Sequence, residues 1–201
     1  MHLIPEPPPE PGDASPPGVP PTDADLIDRS VVDPESFGEI YDRHHLAVFR
    51  YVRSRLGFAA DDVVGDTFAE AFRIRERFDP TRGTTCLPWL LGIATRMVDR
   101  RRDLERRWLR PLPGTLRDAA GATDVDLDAV ARRLDDQRLA PSITRALAKL
   151  RRRDRTALLL HVTADLSVEE VAAALEIPIG TVKSRLHRAR NILAAYLEVH
   201  R

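Results

Sequence analysis

Apolar side chains recur at helical spacing along two stretches of the chain. From residue 37, large apolar residues return every three or four positions through three successive segments, which predicts three amphipathic helices. The first should end before Gly57, the second should begin near Asp61, and the third carries Pro88 in its first turn. Four more helical segments fall between residues 142 and 197, and no alternating strand pattern or internal repeat is present. The predicted fold class is all-α, with two small helical domains joined by a flexible linker.

The segments outside these helices have a different composition. Residues 1–33 are rich in Pro and acidic side chains and poor in large apolar ones, which predicts a disordered acidic tail. Residues 108–135 are rich in Pro, Gly and small side chains and are predicted to be the linker, with LDAVARRL as a short helix in or after it. The domains are then residues 36–107 and 136–197. We expect them to sample many separations in the free chain, because each presents cations that repel the other.

The most informative segment is LSVEEVAAALEIPIGTVKSRLHRARNIL, residues 166–193. Ser167 and Glu170 have the spacing of a capping box at the start of a short helix. EIPIG follows as a tight turn, and Thr181 is predicted to cap the next helix. Two short helices joined by such a turn indicate a helix-turn-helix.

The second of these helices has two distinct faces. At about 100° per residue, Leu186, Ala189 and Leu193 fall within about 40° of Val182, which predicts a buried face. The opposite side and its edges carry only donors and cations: Lys183, Ser184, Arg185, His187, Arg188, Arg190 and Asn191. A face without carboxylates suits the major groove of duplex DNA, whereas solvated surface helices usually mix both signs of charge. The nearby RRRDR, residues 151–155, fits either a phosphate contact or an exposed helix start.

Charge is distributed in blocks, although the whole chain is neutral. The net charge is −9 over residues 1–42, +6 over 43–110, −2 over 111–144 and +5 over 145–201. Two basic blocks separated by an acidic one favour two modules that face a polyanion. The longest apolar stretch, LPWLLGIA, is too short to span a bilayer, and no signal peptide is evident, so a cytoplasmic protein without membrane insertion is expected.

Candidate chemistry is sparse. Cys86 is the only cysteine, which argues against a disulfide framework and favours an inert thiol. His44 and His45 are adjacent, point about 100° apart on a helix and have no cysteine near them in the sequence, which argues against a metal site. No phosphate-binding Gly-rich loop and no spaced Ser/His/Asp set occurs. We therefore expect no enzyme activity, no catalytic residue, no cofactor and no metal.

Two segments together resemble one family. GTVKSRLHRAR resembles the recognition helix of extracytoplasmic-function (ECF) sigma factors, and DDVVGDTFAEAF, RFD and WLLGIATRMVDRRR resemble their N-terminal domain in order and spacing. The resemblance implies a sigma factor that binds core RNA polymerase and directs promoter-specific transcription, in a stress or envelope response under an anti-sigma factor. Residues 36–107 would be sigma region 2, and residues 136–197 would be sigma region 4.

The resemblance also implies roles for individual residues. The polymerase-binding face would carry Asp62, Asp66, Thr67, Phe68 and Arg73. The minus-ten element, with a base extruded from the opened strand, would be bound by Arg82, Trp89, Arg96, Asp99, Arg100 and Arg101. The minus-thirty-five element would be read as duplex by Lys183, Ser184, Arg185, His187 and Arg188. The chain departs from the family at four positions: Gly65 stands where Gln is common, Arg96 where Asn is common, Arg151 where Pro is usual, and Glu176 where Gly is frequent, which predicts a slightly strained turn.

Two other functions remain open at this level. One is a regulator that binds duplex DNA and dimerises through its N-terminal domain. The other is an adaptor that binds polymerase or an anti-sigma partner without promoter specificity. The DDVVGDTF and WLLGIATRMVDRRR segments favour the sigma factor.

Overall fold

A computed structural model describes residues 20–56, 59–108 and 140–199. Within these ranges there are eight α-helices and no strand, which confirms the predicted all-α class. The helices are α1 (Asp23–Val32), α2 (Phe37–Leu56), α3 (Ala60–Arg73), α4 (Leu87–Trp108), α5 (Ala140–Lys149), α6 (Arg152–Thr163), α7 (Val168–Leu175) and α8 (Ile179–Val199). The predicted linker begins one residue too early, because Trp108 is the last residue of α4. The rest of the predicted linker, the short helix in LDAVARRL and residues 1–19 lie outside the described residues.

Helices α2, α3 and α4 pack against one another to form the first domain. Their apolar stripes meet in a core whose members include Ile40, Val48, Phe68, Leu90 and Val98. Tyr51 is fully buried there, and its hydroxyl lies 2.8 Å from that of Thr95. The start of α2 at Phe37, its end at Leu56 and the position of Pro88 in the first turn of α4 agree with the sequence predictions.

The predicted disordered tail is wrong for its last residues, because α1 occupies residues 23–32. A capping box between Thr22 and Asp25 starts this helix, with the Asp25 N–H donating to Thr22 Oγ1 at 3.2 Å. Leu26 and Ile27 are each 3 % exposed and pack into the core of the first domain. The prediction extended the Pro-rich tail too far, because the short amphipathic helix that follows it buries only two large apolar side chains.

Asp23 joins α1 to the rest of the first domain. Its buried carboxylate accepts from the Thr85 hydroxyl (2.7 Å) and the Cys86 N–H (2.9 Å), and it pairs with His44 Nε2 (2.8 Å). Arg43 adds an ion pair at 3.2 Å. Although burial alone would raise the pKa of the Asp23 carboxyl, the pair with His44 and the hydrogen bonds from Cys86 and Thr85 hold it far below the usual range. One carboxylate therefore fixes α1, α2 and the start of α4 together.

The second domain contains α5 to α8. Leu147, Leu159, Leu160, Val171 and Val182 are almost completely buried in its core. The Arg155 guanidinium turns inward and donates from Nη2 to the carbonyls of Ala148 and Leu150, at 3.1 and 3.2 Å. It thereby satisfies backbone acceptors where α5 ends.

The two domains are in contact, whereas the sequence analysis expects them to sample many separations. Helix α4 packs on α7, and α2 packs on α6. At the α4–α7 crossing, a Cβ added to Gly92 would lie 2.7 Å from the carbonyl oxygen of Ala174, so only glycine permits this approach. The Arg55 side chain is buried between the domains and donates to Thr156 Oγ1 at 2.5 Å. The expected repulsion between the domains is offset because the Asp99 carboxylate pairs with Arg55 of the first domain and Arg152 of the second.

The Asp23 contacts predict a pH-dependent contribution to stability. We expect Asp23→Ala to lower the free energy of unfolding by about 3 kcal/mol at neutral pH, since it leaves several buried donors unpaired. The folded-state pKa is depressed, so the stabilisation is fully present above the unfolded carboxyl pKa near 4 and is lost progressively as the pH falls from there towards the far lower folded-state pKa. Urea denaturation of wild type and Asp23→Ala from pH 7 to pH 3 should show a difference in the free energy of unfolding that narrows in acid. Asp28→Asn, an exposed change on the same helix, should match wild type. Equal stability of wild type and Asp23→Ala at pH 7 would contradict this account.

The Gly92 contact predicts that the same substitution, glycine to alanine, has different consequences at two sites. Both Gly92 and Gly65 lie within helices, where Ala is intrinsically favoured by about 1 kcal/mol. A Cβ at Gly65 meets nothing within 4 Å, whereas at Gly92 it meets the α7 backbone. Gly65→Ala should therefore raise the thermal midpoint, and Gly92→Ala should increase the radius of gyration measured by small-angle X-ray scattering. A Gly92→Ala variant as compact as wild type would refute the proposed close approach.

Candidate nucleic-acid and polymerase interface

The capping box at the start of α7 is present as predicted. The Glu170 N–H donates to Ser167 Oγ at 3.1 Å, and the Ser167 N–H donates to Glu170 Oε2 at 2.8 Å. The helix ends at Leu175, and Glu176 adopts the left-handed conformation with φ 53° and ψ 45°. Glycine takes this conformation without strain, so the expected strain at Glu176 has a structural basis.

Helix α8 begins at Ile179, three residues before the start that a cap at Thr181 would give. Thr181 is not its cap, since its N–H donates to the carbonyl oxygen of Pro178 at 2.9 Å. The Val182 N–H reaches the same oxygen at 3.2 Å. A proline suits this entry because it has no N–H of its own to leave unpaired.

The two faces of α8 are as the helical angle predicts, except that Leu193, expected on the buried face, is only partly buried. Val182, Leu186 and Ala189 are at most 3 % exposed, whereas Lys183, Ser184, His187 and Arg188 are exposed and Arg185 is half-buried. The Ser184 hydroxyl donates to the Gly180 carbonyl at 2.9 Å, and His187 Nε2 lies 3.1 Å from Asn191 Nδ2. The five residues predicted to read the minus-thirty-five element are thus together on one helix, and their contact with DNA stays a prediction.

A cationic groove of about 520 Å³ lies between the start of α6 and the first half of α8. It is lined by Arg151, Arg152, Arg153, Asp154, Thr181, Arg185 and Arg188. Desolvation, followed by the charge of Arg153, lowers the pKa of Arg185. The arginines of the motif RRRDR therefore have two roles. The first three line the groove, whereas Arg155 hydrogen-bonds to backbone carbonyls inside the domain.

Three of the predicted minus-ten residues line one cavity of about 220 Å³. These are Arg82, Trp89 and Arg96; the Trp89 ring lies 5.4 Å from that of Phe78. Ala174 and Glu176 of the second domain form part of the wall, so the end of α7 borders this cavity.

The other predicted minus-ten residues lie elsewhere on α4. Asp99 faces the second domain, pairing with Arg152 at 2.7 Å and with Arg55 at 3.2 Å. Arg100 and Arg101 line a groove of about 390 Å³ between α3 and α4, together with Asp66 and Arg73. Arg101 also pairs with Glu105 at 3.0 Å. The predicted set does not form a single cluster in this arrangement.

The predicted polymerase-binding set is only partly at the surface. Asp62, Asp66 and Arg73 are exposed, and Arg73 pairs with Glu70 at 2.7 Å. Thr67 and Phe68 do not belong on that face: Thr67 is 0 % exposed and Phe68 is 6 % exposed. They occupy the inward stripe of α3, where Thr67 Oγ1 donates to the Val63 carbonyl and Phe68 packs edge-on against Tyr41.

His44 and Cys86 lie close together in the structure, which their positions in the sequence do not indicate. With Asp23 they bring candidate ligand atoms within 4.8 Å of one another, although His44 and Cys86 are 42 positions apart in the sequence. Asp23 Oδ2 already takes part in three hydrogen bonds, so we interpret the group as a structural cluster. Burial raises the pKa of the Cys86 thiol, with Asp23 adding to the effect, which fits an unreactive side chain.

Comparison with protein families gives two matches. The model of Sigma-70 region 2 matches residues 40–107, and the model of Sigma-70 region 4 matches residues 141–193. The described helices include none that is both long and apolar enough to cross a membrane.

Individual relatives agree with these matches. The chain is 35% identical over 140 residues to ECF RNA polymerase sigma factor SigC of Mycobacterium tuberculosis, covering 70% of this chain and 71% of SigC. It is 32% identical to SigE of Mycolicibacterium smegmatis, covering 82% of this chain and 63% of SigE. It is 31% identical to CnrH of Cupriavidus metallidurans, covering 89% of this chain and 96% of CnrH.

Two solved structures are similar in fold. One is CnrH in complex with the cytosolic domain of CnrY, with a TM-score of 0.62 and 27% identity over 88% of this chain and 97% of CnrH. The other is RpoE of Bartonella quintana in complex with the anti-sigma factor NepR, with a TM-score of 0.61 and 25% identity over 83% of this chain and 99% of RpoE.

Proposed function

The chain belongs to the ECF RNA polymerase sigma factors, and from that premise we propose that it binds core RNA polymerase and directs initiation at a specific set of promoters. The observation that carries the proposal is the outward face of α8, which presents only donors and cations at residues 183–188 on a helix-turn-helix. A dimeric duplex-binding regulator would account for this face but not for the region 2 match over residues 40–107.

Within this proposal the two domains have separate tasks. Asp62, Asp66 and Arg73 of α3 contact the polymerase. Arg82, Trp89 and Arg96 surround the cavity that receives an unstacked base of the minus-ten element, where an aromatic ring and cations are the expected partners. Helix α8 enters the major groove at the minus-thirty-five element. Because the end of α7 borders the minus-ten cavity, α7 has to move away from α4 before an opened strand can enter.

We also propose control by an anti-sigma factor. The chain is similar in fold to CnrH bound to CnrY and to RpoE bound to NepR. An inhibitor that holds the two domains in their present contact would keep α7 beside the minus-ten cavity. The protein acts without covalent chemistry of its own and works in the cytoplasm, where its polymerase and promoters are.

The direct test is reconstituted transcription from a genomic promoter library with core polymerase and the full chain. We expect run-off transcripts that begin at a defined subset of promoters and share a minus-ten and a minus-thirty-five element. Transcripts that do not depend on the added chain, or that begin at random, would contradict the proposal. Binding of duplex DNA without transcription would favour the regulator instead.

The polymerase contact can be tested with one charge reversal. Asp66→Arg changes an exposed side chain of α3, so the fold should be retained while holoenzyme formation falls at least tenfold, because a cation replaces the carboxylate that we propose contacts the polymerase. Glu169→Arg makes the same change at an exposed position of α7 and serves as the control. Co-purification with core polymerase measures both. Equal recovery of the two variants would remove Asp66 from the interface.

A further inference from the structure

One carboxylate lies among the arginines of the cationic groove. Asp154 is in the first turn of α6 and only 3 % exposed, whereas its partner Arg188 on α8 is about half exposed. Asp154 Oδ1 accepts from Arg188 Nη2 at 3.1 Å, and Asp154 Oδ2 lies 3.4 Å from Arg188 Nε. This is a side-on arrangement, in which both carboxylate oxygens face the Nε edge of the guanidinium.

We propose that Asp154 is a positioning residue that fixes the guanidinium of Arg188 for promoter recognition; this inference rests on the proposed function. Arginine has five N–H donors, and the side-on pair uses one on Nε and one on Nη2. The edge formed by Nη1 and the second hydrogen of Nη2 remains available. That edge supplies the two parallel donors that match O6 and N7 of a guanine.

Charge around Arg188 explains why a buried acid is needed. Burial lowers the pKa of the neighbouring Arg185, the charges of Arg153 and Arg188 lower it further, and Asp154 acts in the opposite direction. Without Asp154, these like charges would drive Arg188 away from them and into many rotamers. Ordering the Arg188 side chain on DNA would then cost conformational entropy. Asp154 lowers this cost because it orders the side chain before DNA binds.

The same geometry predicts opposite effects on specific and non-specific binding. Asp154 brings a negative charge to a DNA-facing groove, so its removal should strengthen attraction to the phosphates of any duplex. Loss of the fixed Arg188 orientation should at the same time weaken discrimination between bases. A residue that only stabilises the domain would reduce binding to both kinds of duplex together.

The experiment is a double-mutant cycle in holoenzyme. Wild type, Asp154→Asn, Arg188→Ala and the double variant are each bound to a promoter found by run-off transcription and to the same promoter with a scrambled minus-thirty-five element. We expect Asp154→Asn to reduce the specificity ratio roughly tenfold while affinity for the scrambled duplex is equal or higher. The double variant should be no less specific than Arg188→Ala alone, because Asp154 acts through Arg188.

Two further variants keep the test decisive. Asp165→Asn makes the same charge change at an exposed position of the same domain and should retain the wild-type ratio. Arg188→Lys leaves Asp154 in place but cannot form the side-on pair, so it should lose discrimination even if Asp154→Asn proves unfolded by circular dichroism. An unchanged ratio for Asp154→Asn, equal weakening on both duplexes, or full discrimination by Arg188→Lys would overturn the inference. Failure of wild type to distinguish the two duplexes would instead count against the proposed function.

Discussion

The guanidinium of Arg55 is completely buried where the two domains meet, and the domain arrangement depends on its partners. A buried cation is tolerated only when it is paired and hydrogen-bonded. Here Asp99 of α4 supplies the charge at 3.2 Å, and Thr156 of α6 supplies an acceptor at 2.5 Å. Arg152 of α6 reaches the same Asp99 carboxylate at 2.7 Å. Residues from both domains are therefore needed to solvate one charge, which couples their positions.

The rest of the contact follows from close backbone approach rather than from large side chains. Gly92 lets α4 lie directly against the end of α7, and Glu176 ends α7 in a left-handed conformation beside the cavity around Trp89. In this arrangement the Asp99 carboxylate forms ion pairs with Arg55 and Arg152, and residues of the second domain border the cavity around Trp89. The contact that satisfies Arg55 thus uses part of the surface that we propose for promoter binding.

Carboxylates organise an arginine-rich chain at three places. Asp23 joins helices within the first domain, Asp99 joins the two domains, and Asp154 holds Arg188 within the second domain. Each carboxylate meets donors far away in the sequence, so none of these contacts can be recognised from local spacing. The spacing of apolar residues along a helix, by contrast, involves only residues near one another in the sequence. The limits of α2 and the buried face of α8 could therefore be predicted.

The errors of sequence analysis have the same origin. Helix α1 was not predicted because it has few apolar residues and because the partners of Asp23, which holds it in place, lie some 20 and 60 residues away in the sequence. Thr67 and Phe68 were grouped with exposed residues by resemblance, although the period of α3 places them inside. The domain contact depends on Gly92 and Arg55, and a glycine or an arginine within a helix carries no sequence signal of a distant partner.

The central claim is that the domains are docked in the free factor and separate when it engages a promoter. Pulsed electron paramagnetic resonance tests it with spin labels on cysteines placed at Asp28 of α1 and Glu169 of α7, both exposed, while the native Cys86 is buried and left unlabelled. The account predicts one narrow distance distribution for the free protein and a longer distance in the complex with core polymerase and promoter DNA. A broad distribution in the free protein, or an unchanged distance in the promoter complex, would contradict it.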